Sequence, residues 1–314
     1  MKKGKLIACL LNISEGRREK ILNVILNETI KTIVTGGVTA TIISTFSDKE
    51  YNRTVLTICG DEKGVSDAVT STSCQVMKYI DIRVHQGGHP RLGAVDLIPI
   101  HPLTPDISLE ECGRIARKIA NSIEQQNVSS SFYFYGGSDP TNRTLINKRK
   151  EFGWFNSVIK KTPDMGTYNP QVGLSGVGSS YYMTNFNITL ETQDAKIGDE
   201  VLKRVREREL GFRGVSAMAF PHQGGLEIAC NVDMFPASLN QDDEVYQEIM
   251  PGVWRTRFRC IEEATAKVCS KYNTKIRGDS LIVGFTPEEA LERTITALQT
   301  RNPCTVNPSS PVHM

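Results

Sequence analysis

Apolar and polar positions alternate along the first hundred residues in a way that separates strands from helices. Residues 5–11 form a short apolar run suited to a buried strand, and residues 17–33 carry their apolar side chains on one helical stripe. The pattern then predicts a strand over 38–46, a strand over 54–59, a helix over 65–79 and a strand over 94–100. This β-α-β-β-α-β order is typical of a ferredoxin-like unit, in which two helices cover one face of an antiparallel sheet.

A second series of elements repeats this order. A helix over 108–124 and a strand over 131–135 extend the first unit, and residues 136–180 are then rich in Gly, Pro, Asn, Ser and Thr. That composition marks either a linker or a long functional loop. Beyond it, the pattern predicts a strand over 181–190, a helix over 197–208, strands over 215–220 and 226–235, a helix over 253–272, a strand over 280–285 and a helix from Pro287.

The predicted fold class is therefore α+β, a tandem of two ferredoxin-like β-α-β-β-α-β subdomains whose antiparallel sheets are covered by helices. We expect the first subdomain to span residues 1–178 and the second to span residues 179–302. Residues 303–314 are rich in proline and follow the last predicted helix, which favours a disordered tail.

The composition narrows the classes of partner. The 314 residues carry 37 Lys and Arg against 35 Asp and Glu, a net charge of +2, which does not favour a nucleic acid as ligand. No apolar run approaches the ~18 residues of a membrane span, and the run at the amino terminus is too short for a signal peptide. Eight cysteines are scattered without a C-x-x-C pair. We therefore expect a cytoplasmic protein with reduced thiols, no metal, no nucleic-acid partner and no membrane contact.

The densest group of chemically active side chains lies in residues 85–96, which hold two of the five histidines. Glycines and Pro90 would hold His89 and Arg91 rigidly where the chain enters a strand. Histidine exchanges protons near neutral pH, and arginine binds carboxylates as a fork. A loop histidine that only caps a strand is an equally good interpretation. We expect His85, which precedes two glycines, to lie at the outer edge of this loop.

Two further polar blocks precede it. Residues 48–54 include Asp48, Asn52 and Arg53 between two predicted strands, where a solvated hairpin turn is the more common explanation. Residues 12–16 lie between the first strand and the first helix, and they suit either a helix N-cap or a ligand-binding loop.

Together the three blocks resemble the formiminotransferase family, which comprises the glutamate formimidoyltransferases and the amino-terminal portion of formiminotransferase-cyclodeaminases. The most specific pattern is His85-x-Gly87-x-His89-Pro90-Arg91. The resemblance covers essentially the whole chain, strongly to about residue 140 and more loosely through 185–188. It is greatest to stand-alone members that have no cyclodeaminase half.

The resemblance implies a homodimeric enzyme that moves a formimino group from N-formimino-L-glutamate to N5 of tetrahydrofolate, its co-substrate. His89 would be the catalytic base, with an expected pH dependence near 6 to 7. Residues that would support catalysis or bind substrate are Asp48, Asn52, Arg53, Arg91 and Asp96. Arg53 and Arg91 would bind the carboxylates of the donor, while Asp48 or Asp96 would orient the imidazole or hold an amidinium.

Folate contacts are implied for an inter-subdomain loop and for one glycine of the second subdomain. These residues are Gly166, Thr167, Tyr168, Asn169, Pro170, Gln171, Val172, Gly173 and Gly211. A basic stretch over 143–161 would suit the anionic folate tail or would simply be a solvated surface. The family usually has an acid where Gly88 stands, and this departure favours one alternative, a folate-binding homologue without significant turnover. The loop over 166–173 is two residues shorter than in the cyclodeaminase-fused members, which favours another, a scaffold or interaction protein.

Overall fold

The computed structural model describes residues 4–126, 129–153, 161–237 and 242–306. The chain divides into two compact units, one formed by Met1–Ser180 with Ala290–Met314 and the other by Tyr181–Glu289. We call these unit 1 and unit 2. In the parts of the chain that the structure describes, no helix has the length and apolar content needed to cross a membrane.

Unit 1 is built on a seven-stranded sheet. Its elements are β1 (Ile7–Ile13), α1 (Glu19–Thr35), β2 (Ala40–Asp48), β3 (Arg53–Gly60), α2 (Glu62–Tyr79), a short 3₁₀ turn (Ile82–Val84), β4 (Val95–Pro102), α3 (Leu109–Gln126), β5 (Ser131–Gly136), α4 (Leu145–Glu151), β6 (Met165–Gly166) and β7 (Ser175–Ser179). The strand order is β2-β3-β1-β4-β7-β5-β6. Because β2, β3, β1 and β4 are neighbours in that order and pair antiparallel, the predicted ferredoxin-like arrangement is confirmed.

Alternating residues of the strands explain where the core of unit 1 lies. Ile7, Cys9, Leu11 and Ile13 project from one face of β1, as a period of two requires. They pack with the apolar stripes of α1, α2 and α3 in one buried cluster. The carboxyl end of β1 therefore lies beside the amino ends of β3 and β4. The three polar blocks of the sequence lie at these strand ends.

The segment 136–180 contains regular structure that its composition does not predict. Strand β7 (Ser175–Ser179) is central and pairs parallel with both β4 and β5. A Cβ at Gly176 would lie 2.5 Å from Cζ of Tyr133, and one at Gly178 would lie 2.6 Å from the ring of Tyr135. The strand is made of small residues because these two aromatic rings occupy the space that side chains would need.

Unit 2 repeats the ferredoxin-like order with one insertion. Its elements are β8 (Met183–Leu190), α5 (Ala195–Val205), β9 (Val215–His222), β10 (Gly225–Pro236), β11 (Tyr246–Met250), β12 (Val253–Thr256), α6 (Phe258–Lys271) and β13 (Leu281–Val283), followed by α7 (Pro287–Gln299). Strands β9, β10, β8 and β13 pair antiparallel in that order. The predicted helix over 253–272 is wrong in its first four residues, because Val253–Thr256 pairs with β10 and β11 as a strand.

Helix α7 begins at Pro287 as predicted, but from Ala290 onward it groups with unit 1. Thr294 and Ala297 of this helix are buried. Beyond the helix, the carbonyl of Pro303 accepts a hydrogen bond from Ile42 N at 3.0 Å, and Thr305 N donates to Ile42 O at 2.9 Å. The first residues of the predicted disordered tail thus pair with the edge strand β2, while residues 307–314 lie outside the described residues.

Candidate functional site

The three polar blocks meet at the side chain of Asn52. Its Oδ1 accepts a hydrogen bond from Gly16 N at 2.9 Å, and its Nδ2 donates to Gln86 O at 3.1 Å. A further backbone hydrogen bond runs from Gly88 N to Glu50 O at 3.2 Å. Asn52 is only 8% exposed and has a positive φ of 51°, a conformation that asparagine tolerates better than most residues. Asn52 therefore connects the blocks.

Two glycines allow this close packing. A Cβ on Gly16 would lie 2.5 Å from the carbonyl oxygen of Asp48, and a Cβ on Gly87 would lie 2.2 Å from that of Tyr51. The turn after β2 is thus in backbone contact with both neighbouring loops. Asp48 stabilises the same turn, because its Oδ1 accepts a hydrogen bond from Tyr51 N at 2.8 Å.

His89 is held in one orientation at the centre of the site. Its Nδ1 lies 2.9 Å from the carbonyl oxygen of Pro90, so Nδ1 carries the hydrogen and Nε2 is the nitrogen that can accept a proton. The ring of Tyr51 lies 5.8 Å away between centroids. Burial, followed by the positive charges of Arg53 and Arg91, lowers the pKa of His89 to about 4. The imidazole is neutral at pH 7, and its pKa lies below the range of 6 to 7 expected from sequence.

Arg53 is a partly buried cation whose guanidinium has neither an ion pair nor a hydrogen bond with any described residue. Its Cζ stands 5.1 Å from the centroid of the Tyr51 ring, and its Nε is buried without a hydrogen-bond partner. Burial, and then the charge of Arg91, lower the pKa of the guanidinium from its ordinary value. A buried charge without a partner is costly, so Arg53 is suited to receive an anion.

Arg91 and Asp96 bind each other beneath the loop. Arg91 Nη1 donates to Asp96 Oδ2 at 3.0 Å, and its Nη2 donates to Ile13 O at 3.1 Å, with the side chain only 2% exposed. Asp96 is fully buried, and its Oδ1 accepts from Leu92 N at 2.9 Å. These contacts occupy Arg91, so of the two arginines expected to bind carboxylates, Arg53 is the available one.

Arg149 donates from Nη2 to Asp96 Oδ2 at 2.7 Å, a contact that the sequence pattern does not predict. Burial alone would raise the pKa of Asp96, but Arg91, Arg149 and the Leu92 N–H hold it below its ordinary value. Within the basic stretch, Lys148 is also buried and bonds Asp164 at 2.6 Å. Neither residue is a solvated surface cation, and Lys160 lies outside the described residues.

His85 does not lie at the outer edge of the loop, so that prediction is wrong. It is half-buried, and its Nδ1 lies 3.1 Å from the carbonyl oxygen of Ser14. Its Nε2 is buried and has no hydrogen-bond partner among the described residues. His85 therefore ties the His89 loop to the loop between β1 and α1.

The expected folate loop over 166–173 divides into an exposed and an anchored part. Gly166 has a positive φ, and Asn169 is partly exposed. Thr167, Tyr168 and Pro170 are exposed, Tyr168 to 41%. The carbonyls of Gln171 and Val172 accept hydrogen bonds from Ile82 N at 2.9 Å and Ala94 N at 2.8 Å, and buried Gly173 bridges to Gly93. The anchored part thus lies beside the residues that follow Arg91.

Gly211 belongs to unit 2 and has a local reason to be glycine. A Cβ there would lie 2.2 Å from the carbonyl carbon of Val205, at the end of α5, and Gly211 N donates to Arg206 O at 3.0 Å. Its contact with folate stays a prediction.

Within the described ranges, no group of three or more His, Cys, Asp or Glu side chains converges as metal ligands would.

The chain is similar in sequence to several known proteins. Residues 6–180 match a family model described as the formiminotransferase domain, N-terminal subdomain. A glutamate formimidoyltransferase of Streptococcus pyogenes serotype M1 is 29% identical over 224 residues, which cover 68% of this chain and 72% of that protein. A glutamate formimidoyltransferase of Thermoplasma acidophilum is 28% identical, with the same coverage of 68% and 72%. A formimidoyltransferase-cyclodeaminase of Dictyostelium discoideum is 26% identical over 92% of this chain and 52% of its own length.

Proposed function

Because the chain belongs to the formiminotransferase family, we propose that it transfers a formimino group from N-formimino-L-glutamate to N5 of tetrahydrofolate. The observation that carries this proposal is the juxtaposition of a neutral, oriented imidazole, His89, with the unpaired guanidinium of Arg53. The first group exchanges protons and the second binds an anion. A transfer between an amine and an anionic amidine requires both.

The proposed reaction places two proton transfers on His89. N5 of tetrahydrofolate attacks the carbon of the protonated formimino group, the C=N π electrons move to the imino nitrogen to give a tetrahedral intermediate, and Nε2 of His89 takes the N5 proton. When the intermediate collapses, the lone pair of that nitrogen re-forms the C=N bond. The bond between this carbon and the glutamate nitrogen then breaks, and the departing nitrogen keeps the electron pair and receives the proton from His89. The low pKa keeps His89 neutral and able to accept a proton before the donor binds, and it makes the protonated imidazole a better proton donor than an ordinary imidazolium.

In this proposal Arg53 binds one carboxylate of the donor. Two parallel N–H···O bonds would fix the donor's direction, and the buried surroundings would strengthen them. The same contact cancels a positive charge that depresses the pKa of His89. Donor binding would therefore raise that pKa towards its ordinary value and help His89 to hold the proton in the intermediate.

Tetrahydrofolate would contact the loop over 166–173, where the exposed ring of Tyr168 offers a flat apolar surface, and the backbone at Gly211. The proposal includes a homodimer in the cytoplasm, small-molecule substrates only and no metal in the reaction. Support for these points comes from the family resemblance.

The deciding experiment is to incubate purified protein with tetrahydrofolate and N-formimino-L-glutamate and to monitor 5-formiminotetrahydrofolate. We expect product with the natural chain and at least a hundredfold less with Arg53→Met. Absence of product together with folate binding would instead support the homologue without significant turnover, which the glycine at position 88 favours. Absence of both would support the interaction protein.

A further inference from the structure

The charges of the partly or fully buried side chains around His89 do not balance. Three guanidinium groups belong to the cluster, those of Arg53 on β3, Arg91 before β4 and Arg149 on α4. Two carboxylates face them, those of Asp48 at the end of β2 and Asp96 on β4. With His89 neutral, the cluster carries one more positive charge than negative charges.

Arg149 is the cation that creates this surplus. Its side chain is 10% exposed and its Nη2 lies 2.7 Å from Asp96 Oδ2, the oxygen that also accepts from Arg91 at 3.0 Å. One arginine is enough to neutralise Asp96, so the second adds a positive charge that no further carboxylate of the cluster compensates. Asp96 is consequently saturated by Arg91, Arg149 and Leu92 N.

The surplus positive charge matters most at the guanidinium of Arg53, which has no ion-pair partner among the described residues. Uncompensated charge away from water raises the free energy of the folded protein unless an ion of opposite sign enters. A single carboxylate at Arg53 would restore the balance, whereas a neutral group of the same shape would not. The charge count therefore specifies what kind of group fits there.

We propose that Arg149 is a positioning residue which, by saturating Asp96, gives the site its surplus positive charge and makes it selective for one carboxylate at Arg53. Arg149 itself does not touch the bound group in this arrangement. The identification of that carboxylate with the amino-acid donor rests on the proposed function, but the charge effect does not. Arg149 is thus a determinant of anion affinity that acts through Asp96.

The test uses the full chain, with acetate as a monocarboxylate probe and the His89 imidazole as reporter. The NMR signals of the five histidines are followed against pH, and His89→Gln assigns the reporter. Arg149→Gln keeps a hydrogen-bond donor for Asp96 and removes the charge, and Arg149→Lys keeps the charge. Arg143→Gln is the matched control, since Arg143 pairs with Asp139 and Glu151 and not with Asp96.

In the natural chain acetate should raise the pKa of His89. In Arg149→Gln we expect that pKa to be higher by about one to two before acetate is added, and acetate to bind about tenfold more weakly. Arg149→Lys should restore most of both properties, and Arg143→Gln should change neither. In turnover, Arg149→Gln should raise KM for the donor about tenfold with a smaller change in kcat.

A merely structural role would lower the melting temperature of Arg149→Gln and leave the pKa of His89 and the acetate affinity unchanged, which would overturn the proposal. If Arg149→Gln does not fold, Arg149→Lys decides, because a folded lysine variant without acetate binding contradicts a role based on charge. Failure of the enzymatic function gives a different result: the acetate and pKa effects remain while no product forms.

Discussion

At the scale of single residues, His89 and His85 differ in what each imidazole can do. In both, a carbonyl oxygen holds Nδ1, that of Pro90 for His89 and that of Ser14 for His85. The Nε2 of His85 is buried within the loop packing, and His89 lies beside Arg53 and Tyr51. We therefore assign proton transfer to His89 and a loop-fixing role to His85.

Alanine substitutions separate these roles. His89→Ala should lower kcat by about 10² to 10⁴ and leave folate affinity nearly unchanged, since a general acid-base group contributes a factor of that size. His85→Ala should cost much less in kcat and should instead lower the melting temperature. Steady-state kinetics and folate titrations measure the difference. Equal losses of kcat, or full activity of His89→Ala, would assign the base to another group.

The pH dependence should differ between the free protein and its complexes. In the free protein the pKa of His89 is about 4, so kcat/KM should stay level as the pH falls from 7 to 5. Protonation removes the base, so activity is lost on the acid side only. With a carboxylate on Arg53 the pKa is higher, and the acid limb of kcat should lie at a higher pH than that of kcat/KM. Coincident limbs at 6 to 7 would contradict the charge environment described here.

Substitutions of Gly88 test whether a carboxylate at this position, as in other members of the family, would change the pKa of His89. A Cβ there would lie 3.5 Å from Cδ1 of Tyr51, an ordinary contact, so a side chain fits. Gly88→Asp adds a negative charge next to His89 and should raise its pKa by about one, moving the acid limb of kcat/KM upward. Gly88→Asn has the same shape without the charge and should leave the limb in place. An identical pH profile for both variants would mean that position 88 has no electrostatic effect on the base.

The sequence predicted the reactive loop that carries His89 better than it predicted the residues that support this loop. Glycine, proline, histidine and arginine within twelve residues indicate a rigid reactive loop whatever the tertiary structure. The contact of Arg149 with Asp96 joins residues 53 positions apart, and no local pattern distinguishes Arg149 from its basic neighbours. Only the fold shows that it is buried.

At the scale of elements, local sequence pattern predicted the strands whose own side chains fill the core and missed the strands whose sequence depends on their neighbours. Strands such as β1 have apolar or alternating residues because their own side chains fill the core. Strand β7 is Ser-Gly-Val-Gly-Ser, since the rings of Tyr133 and Tyr135 fill the space from the neighbouring strand. Strand β12 directly precedes α6, so the apolar spacing of the helix extends over it in the sequence.

Helix α3 shows how a glycine can position an element that carries a site residue. A Cβ on Gly113 would lie 2.1 Å from the carbonyl oxygen of Gly137, in the turn that leads towards α4. Arg117 of the same helix donates to Ser138 O at 2.7 Å. The helix thus holds the turn that precedes Arg149 at backbone contact.

Gly113→Ala should therefore destabilise the protein although alanine is the better helix former. The intrinsic gain is at most about 1 kcal/mol, and the displaced backbone should cost more, for a net loss of about 2 kcal/mol. Asn121→Ala, at an exposed position of the same helix, should be neutral or slightly stabilising. Urea denaturation compares the free energies of unfolding. Equal values for the two variants would show that the turn can move away without loss.

At the scale of the whole molecule, regular structure from both ends of the chain contributes to unit 1. Residues 290–306 follow unit 2 in sequence but belong to unit 1, where residues 303–305 pair with β2. The expected boundaries of 179–302 placed this helix in the second subdomain, but periodicity identifies only a helix, and its apolar stripe is compatible with either core. Unit 1 also contains His89, Arg53 and the loop over 166–173.

Ligand-induced stabilisation of the protein tests the proposed folate binding without requiring turnover. A ligand that binds only the folded state stabilises it by mass action, by about 2.7 kcal/mol at a concentration one hundred times Kd. For a chain of this length, that corresponds to a rise in melting temperature of a few degrees. If the two units unfold in separate transitions, the transition that shifts belongs to the unit that binds the ligand. Tetrahydrofolate should produce the rise, and His89→Ala should retain it. NAD and nucleotides should have no effect, because no G-x-G-x-x-G or P-loop pattern stands at a strand-to-helix turn. A chain that responds to neither folate nor formiminoglutamate at saturating concentration would leave the interaction protein as the better hypothesis.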